Sequence, residues 1–277
     1  MDFETQKRRK YVTIDFHTHA FPQRIAEKAI RNLAHTAGGA RPNHNGTAED
    51  LLRVVKDCGA DRAVVLNIAT NEKQQRNVND FAIETNRNFG GALIAFGSVY
   101  PGSESAFDEL DRLKAAGIRG VKLHPDYQHF FANDRSFYPL YRKIGEMGFI
   151  TVFHAGIDIG YPDPVHCTPQ MLAEILPEFG GAPVVAAHMG GWMMWQDVQE
   201  CLCGKDIYLD TAFSAGRMPP DYARAIIRKH GAERILLGSD MPWGNTGDEI
   251  AFVKALDLTD RQTACILGEN AQQLLNG

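Results

Sequence analysis

The 277-residue chain is poor in cysteine: it has five, an odd number, spread from Cys58 to Cys265. That pattern excludes a disulfide framework. Cys201 and Cys203, one residue apart at the expected end of a helix, read as small hydrophobes. No uninterrupted apolar run reaches the roughly 18 residues of a membrane helix. The polar N-terminus shows no apolar signal core. A soluble protein of the reducing cytoplasm is the expectation. Segregated charge is lacking as well. The 29 basic and 34 acidic residues give a net charge of −5. The dense basic run "KRRK" at 7–10 reads as a solvated lead-in. Neither nucleic acid nor membrane is an expected partner. There is no linker, no low-complexity stretch, and no Gly-rich phosphate turn behind the first strand-like run. The last absence counts against an open doubly wound sheet.

What is present is a regular alternation. Hydrophobic residues make up 44% and charged residues 23% of the chain, a globular balance. Eight short apolar runs recur: "YVTIDF", "RAVVLNI", "ALIAFGSV", "RGVKLH", "FITVFH", "PVVAAH", "DIYLDT" and "RILLGSD". They are nearly continuous rather than alternating, as for parallel strands covered on both faces. Helical patterns such as "AFDELDRLKAAG" and "PPDYARAIIRKHG" lie between them. Several end in Gly and two open on Pro, the usual stop and start. The first gap holds two helical patterns, "RIAEKAIRNLAH" and "AEDLLRVVKDCG", and "DRQTACILGENAQQLLN" adds a last one. Eight β/α units in a chain of this length predict one (β/α)8 TIM barrel over residues 1–277, with 1–10 as the lead-in.

Barrel enzymes build their sites at the C-terminal ends of the strands. Those ends carry His17 and His19 (strand one), Lys122 and His124 (four), His154 (five), His188 (six) and Asp240 (eight). Side chains two apart in a strand share a face, so Asp15, His17 and His19 are expected to point together. Five of the ten histidines fall at strand ends and converge on one mouth. Imidazole and carboxylate with no thiolate is the donor set of an open catalytic zinc site, and Mn²⁺, Fe²⁺ and Co²⁺ accept the same ligands. Such a metal lowers the pKa of its bound water to about 7. Asp240 could take the proton of that water, and a neighbouring histidine could polarise the scissile bond or protonate the leaving group.

In order and spacing, "DFHTH", "GVKLHP", "FHAG", "AHMGG" and "LLGSDMPWG", closed by "GENAQQLL", resemble the amidohydrolase superfamily from about residue 12 to the end. The resemblance is nearest to the amidohydrolase-2 branch, which includes aminocarboxymuconate-semialdehyde decarboxylase. It implies a divalent metal at the barrel mouth, with His17, His19, His154 and Asp240 as ligands and His188 beside the bound water. In binuclear members a strand-four residue, often a carboxylated lysine, bridges two metals. Here His124 lies two residues nearer the mouth than Lys122, so one metal is expected and a second is the alternative. Lys122 and His124 are then pocket residues, His124 also a candidate extra ligand.

Weaker candidates complete the pocket. The loop after strand five carries Tyr161, Asp163 and His166. Trp192 and Trp243 follow the strand-six and strand-eight motifs and could form an aromatic wall. Arg217 could bind a carboxylate. The leading expectation is a hydrolase that opens an amide, ester or lactone of a small molecule. A decarboxylase of a cyclic or unsaturated carboxylic acid is the alternative within the branch. A catalytically silent metal-binding protein is the alternative of another class, against which the intact ligand set counts. Homo-oligomers enter by analogy with such families.

Overall fold

The structure is a computed structural model and describes residues 11–36, 39–161 and 163–277; the basic run at 7–10 lies outside the described residues. Among the described residues eight parallel strands follow one another: β1 (Ile14–Thr18), β2 (Arg62–Leu66), β3 (Leu93–Phe96), β4 (Gly120–Leu123), β5 (Ile150–Phe153), β6 (Val184–Ala186), β7 (Tyr208–Asp210) and β8 (Ile235–Leu236). They pair as β1-β2-β3 and β4-β5-β6-β7-β8. Backbone bonds join the two groups into a barrel. Gly97 N–H donates to the Gly120 carbonyl and Lys122 N–H to the Gly97 carbonyl, at 3.0 and 2.8 Å. On the other side Phe16 N–H donates to the Leu237 carbonyl at 2.6 Å. The β3–β4 seam needs glycine. A Cβ on Gly120 would lie 2.4 Å from the Phe96 ring and 2.5 Å from the Ile150 carbonyl.

The expected helices form around the barrel. The first gap holds α1 (Ala26–Thr36) and α2 (Ala48–Asp57); α3 (Glu72–Asn88), α4 (Ala106–Ala115), a short α5 (Pro125–Gln128), α6 (Tyr138–Glu146), α7 (Pro169–Ile175), α8 (Trp195–Cys201) and α9 (Pro220–His230) follow. α10 (Thr246–Lys254), α11 (Asp260–Ala264) and α12 (Asn270–Asn276) close the chain. Local chemistry sets several starts. Thr47, Asn71 and Thr168 each accept a backbone N–H from the first turn of the helix behind them. Thr259 and Gln262 form a reciprocal capping box. The last helical segment is not one regular helix, because a π-turn at Cys265–Glu269 separates α11 from α12.

The apolar runs split between two layers. Ile14, Phe16, Val64, Leu66, Phe96, Val152, Val185 and Leu236 fill the barrel interior, and Ala271, Leu274 and Leu275 of α12 pack onto the same cluster. A second, larger cluster lies between strands and helices and includes Leu51, Leu110, Val121, Phe153 and Leu209. The filled interior makes the barrel a packed core rather than a pore, which leaves its C-terminal mouth as the place for a cavity.

Candidate active site and metal centre

A pocket of about 170 Å³ opens at that mouth. His17, His19, Lys122, His124, His154, His188 and Asp240 all line it. Trp192 and Trp243 line it too, with Phe21, Leu33, Ile68, Ile157 and Phe213. Two of the weaker candidates stand elsewhere. Arg217 is not among the lining residues; its guanidinium sits 3.5 Å over the Phe213 ring and donates to the Ala215 carbonyl. Tyr161 packs edge-on against Tyr127 and His129, outside the lining set.

His17, His19 and Asp240 come together. Asp240 Oδ1 lies 3.3 Å from His17 Nε2 and 3.1 Å from His19 Nε2. The far nitrogen of each ring is engaged. His17 Nδ1 meets Asp210 Oδ2 at 2.8 Å, and His19 Nδ1 donates to the Leu66 carbonyl at 2.7 Å. These partners fix which nitrogen faces the pocket, the arrangement that orients metal-binding histidines. Burial, with the Lys122 charge adding to it, pushes the His17 pKa down to about 4, although Asp210 pulls the other way. A neutral His17 with its proton held on Nδ1 by Asp210 turns a lone pair toward an anionic oxygen. Burial works to raise the Asp240 carboxyl, but the His19 contact and the surrounding imidazoles outweigh it and hold it well below the usual range. Lone pair and carboxylate face each other without a proton between them. A divalent cation resolves that repulsion, so the residues fit a metal.

The backbone at these points is unusual. His188 and Asp240 sit at φ 59° and 64°, where residues other than glycine are seldom found. Each is pinned by its own amide: His188 N–H donates to Asp210 Oδ1 at 2.9 Å, and Asp240 N–H to the His17 carbonyl at 2.8 Å. Asp210 thus serves both sides, holding the His17 ring and the His188 backbone. Burial works to raise its pKa, but His17, His188 and Lys122 together outweigh it, so the carboxyl stays below the usual range. Asp210 is absent from the candidates read off the sequence, although "YLD" ends β7 with the same polar signature as the other strands. Gly238 lies against the same group, since a Cβ there would stand 2.9 Å from the His17 Cβ.

Asp15 corrects a sequence expectation. It does not point with His17 and His19. Between Asp15 and Thr18 the register with β2 slips, Asp15 facing Ala63 and Thr18 facing Val65. This bulge breaks the two-residue alternation and re-aims the strand end. Phe16 enters the barrel interior, whereas Asp15 accepts from Ser239 N–H at 2.9 Å and from the Thr246 hydroxyl at 2.6 Å. Burial raises its carboxyl to about 6.

His154 stands in a second group, with His124 and Asp158. Its Nδ1 is 3.1 Å from His188 Nε2, and its Nε2 faces Asp158 Oδ2 at 3.8 Å and Asp126 Oδ2 at 3.9 Å. Rings stack on one side of it: Tyr127, His124 and His154 lie with successive centroids 4.1 Å apart. Burial holds both histidines well below the ordinary imidazole pKa. Asp126 and Asp158 are also absent from the sequence candidates, unlike His166, which bonds Asp126 Oδ1 through Nδ1 at 2.9 Å. Lys122 is buried, and its Nζ has no hydrogen-bond partner among the described residues. Burial lowers its pKa to about 8, with Asp210 and Asp240 opposing.

The amidohydrolase family profile matches residues 14–277. The chain belongs to the amidohydrolase family. Its fold is shared by solved structures of low sequence identity. An uncharacterised TIM-barrel protein of Bordetella bronchiseptica is 19% identical, with 95% of this chain and 98% of that one covered, at a TM-score of 0.75. The 2,6-dihydroxybenzoate decarboxylase of Rhizobium is 15% identical over 96% of this chain and 99% of that one, at 0.68. A Pseudomonas putida protein described as a 2-pyrone-4,6-dicarboxylic acid hydrolase is 19% identical over 96% and 97%, at 0.67. A search of curated proteins finds no match. Family members are metal-dependent enzymes, and no described helix is long and apolar enough to cross a membrane.

Proposed function

We propose that the protein is a metal-dependent hydrolase of a small, largely apolar ester, lactone or amide. One divalent metal, zinc first among the candidates, would be held by His17, His19 and Asp240, with His154 the fourth ligand that the family resemblance implies. The observation that carries this reading is the meeting of the His17 lone pair with ionised Asp240 at 3.3 Å. When bound, the metal supplies an activated water and polarises the carbonyl oxygen. The chain does the rest. Asp240 accepts the proton of the attacking water. That same proton is handed on to His188 Nε2 and from there to the leaving oxygen or nitrogen, which restores both side chains; the His188 Nδ1 is tied to the Ala212 carbonyl at 3.0 Å, which keeps Nε2 turned inward. The aromatic wall of Trp192, Trp243 and Phe213 seats the apolar body of the substrate and excludes water.

Decarboxylation is a second reading, and Lys122 favours it. A buried ammonium with no partner is costly, and a substrate carboxylate would supply one. Both relatives named by activity act on ring compounds, one as a decarboxylase and one as a hydrolase. Against it, no arginine lines the pocket among the described residues. The test is a panel of neutral esters, lactones and amides beside cyclic carboxylic acids, run with zinc-loaded and metal-stripped protein. Metal-dependent hydrolysis of a neutral member supports the first reading. CO₂ release from an acid, with no hydrolysis of any neutral member, would replace it by the second.

A further inference from the structure

The β2 end of the mouth carries a polar group that the proposed reaction does not use. Asn67 directly follows β2, lines the pocket and is only 8% exposed. Its Nδ2 is buried and has no hydrogen-bond partner among the described residues. A buried NH2 without an acceptor has lost its water and gained no partner in exchange. Such groups are rare in folded proteins, and one in the lining of a pocket points to a ligand that completes it.

The main chain around Asn67 is held too firmly to shift and supply an acceptor. Before it, the Leu66 carbonyl accepts from His19 Nδ1 at 2.7 Å. After it, Ala69 N–H donates to Ser98 Oγ at 3.0 Å, and the Ala69 carbonyl accepts from Gln128 Nε2 at 2.8 Å. Ser98 in turn donates its hydroxyl to the Lys122 carbonyl at 2.8 Å. Gln128 is buried and fully engaged: Nε2 also donates to the Val99 carbonyl at 2.9 Å, and Oε1 accepts the His124 N–H at 2.9 Å. The ends of β2, β3 and β4 are tied together in this way, so Asn67 stands on a segment that is ordered before any ligand arrives. Preorganised support of this kind suits recognition. A half-turn of the amide exchanges Nδ2 and Oδ1, so the NH2 can turn to a ligand in the pocket.

Lys122 Nζ and Trp192 Nε1 are also buried pocket donors without a partner. The Lys122 ammonium calls for an anion. Asn67 is neutral and calls for an uncharged oxygen. Its neighbours in the lining add nothing polar to that contact: Leu66 and Ile68 are apolar, and the Thr70 hydroxyl is engaged by Gln74 Oε1 at 2.9 Å. We infer that Asn67 is a substrate-binding residue, whose NH2 donates to a hydroxyl or carbonyl oxygen on the body of the substrate, apart from the group that reacts. The substrate is then an otherwise apolar ring or chain that carries such an oxygen, and the site discriminates against a plain hydrocarbon body. The inference rests on this pocket being the substrate's, as the proposed function has it, and not on the metal or on which bond breaks.

The test uses two fragments of similar size that need no metal: cyclohexanone, which offers a carbonyl oxygen, and toluene, which offers none. Each is titrated into isotope-labelled protein, zinc-loaded and metal-stripped, and followed by NMR. The indole N–H signals of Trp192 and Trp243 report entry into the pocket. The side-chain NH2 signals of Asn67 are identified by their absence from Asn67→Leu. Both fragments should move the indole signals, and cyclohexanone alone should move the Asn67 pair, in both metal states. Asn67→Leu and Asn67→Ala should bind cyclohexanone about tenfold more weakly than the parent, the scale of one neutral hydrogen bond, and toluene as before. Two variants guard against one that does not fold. The inference is overturned if cyclohexanone moves the indole signals without the Asn67 pair, or binds the parent and the folded variants alike. An Asn67 shift that vanishes on stripping also overturns it, by placing the oxygen on the metal. Entry of neither fragment would overturn the inference and the reading of the pocket together.

Discussion

The two sides of the barrel mouth are built in different ways. On the β8–β1 side, His17, His19 and Asp240 rise directly from strand ends, and each inward imidazole is fixed from behind by a protein acceptor, Asp210 or the Leu66 carbonyl. On the β4–β5 side, only His154 comes from a strand end. Its carboxylate neighbours come from beyond the strands, Asp126 from the short α5 after β4 and Asp158 from the segment after β5. They are held by His166 and by the Gly160 amide. Barrel hydrogen bonding fixes the first side before any ligand arrives. The second depends on α5 meeting the segment after β5, and its groups stand farther apart, with His154 Nε2 at 3.8–3.9 Å from the carboxylates against 3.1–3.3 Å on the first side. A preorganised side suits the chemistry, where misplacement by an ångström is costly.

The largest expected effect falls where the sides meet, at His188. His188→Asn removes the titratable nitrogen but keeps a hydrogen-bonding side chain. Turnover on a substrate found in the panel should fall by roughly a hundredfold or more, with metal content unchanged. Metal lost along with turnover would make His188 a ligand and join the two sides into one binuclear centre. Unchanged turnover would leave His188 with no catalytic part.

A smaller effect belongs to the β8–β1 side alone. Asp210→Asn can no longer accept charge from His17 Nδ1–H, so zinc affinity should drop about 10–100-fold. Competition with a chromogenic chelator measures it. Unchanged zinc affinity would show that Asp210 does not set the donor strength of the His17 ring.

The smallest effect leaves catalysis aside and follows from the bulge. Buried Asp15 titrates at about 6, above its unfolded value of 3.8. The native state therefore binds this proton more tightly than the unfolded chain. Its contribution is complete below pH 4, declines as pH rises to about 6, and is constant beyond. The tighter hold on this proton is worth about 3 kcal/mol. Asp15→Asn has no such decline, so the stability of the parent relative to the variant should fall by up to that amount between about pH 4 and 7. Denaturant unfolding across that range checks it, and a constant difference would place the Asp15 carboxyl in an ordinary environment.

Legibility in the sequence follows the same division. Apolar runs about one βα unit apart predict the barrel because each strand must bury both faces. Polar residues at the ends of those runs then locate the mouth, and His17, His19, Lys122, His124, His154, His188, Asp240, Trp192 and Trp243 all line its pocket. Asp210 is equally readable, as the polar residue that ends the β7 run. The expectation for Asp15 fails because no glycine or other local signal marks the bulge that breaks the alternation in β1. Asp126 lies in a single helical turn and Asp158 in a loop, both too short or irregular for a periodicity to say which side chain turns inward. Tyr161 and Arg217 are suggested by residue type and by their places after strands five and seven; their ring and guanidinium find partners beside the pocket, on Tyr127 and Phe213.

The central claim is a metal at His17, His19 and Asp240. Anomalous diffraction from zinc-soaked crystals, recorded above and below the zinc absorption edge, tests it most directly. The account predicts a peak about 2.0–2.2 Å from both Nε2 atoms and from an Asp240 carboxylate oxygen. A map with no peak among these three side chains, while zinc appears elsewhere in the mouth, would contradict it.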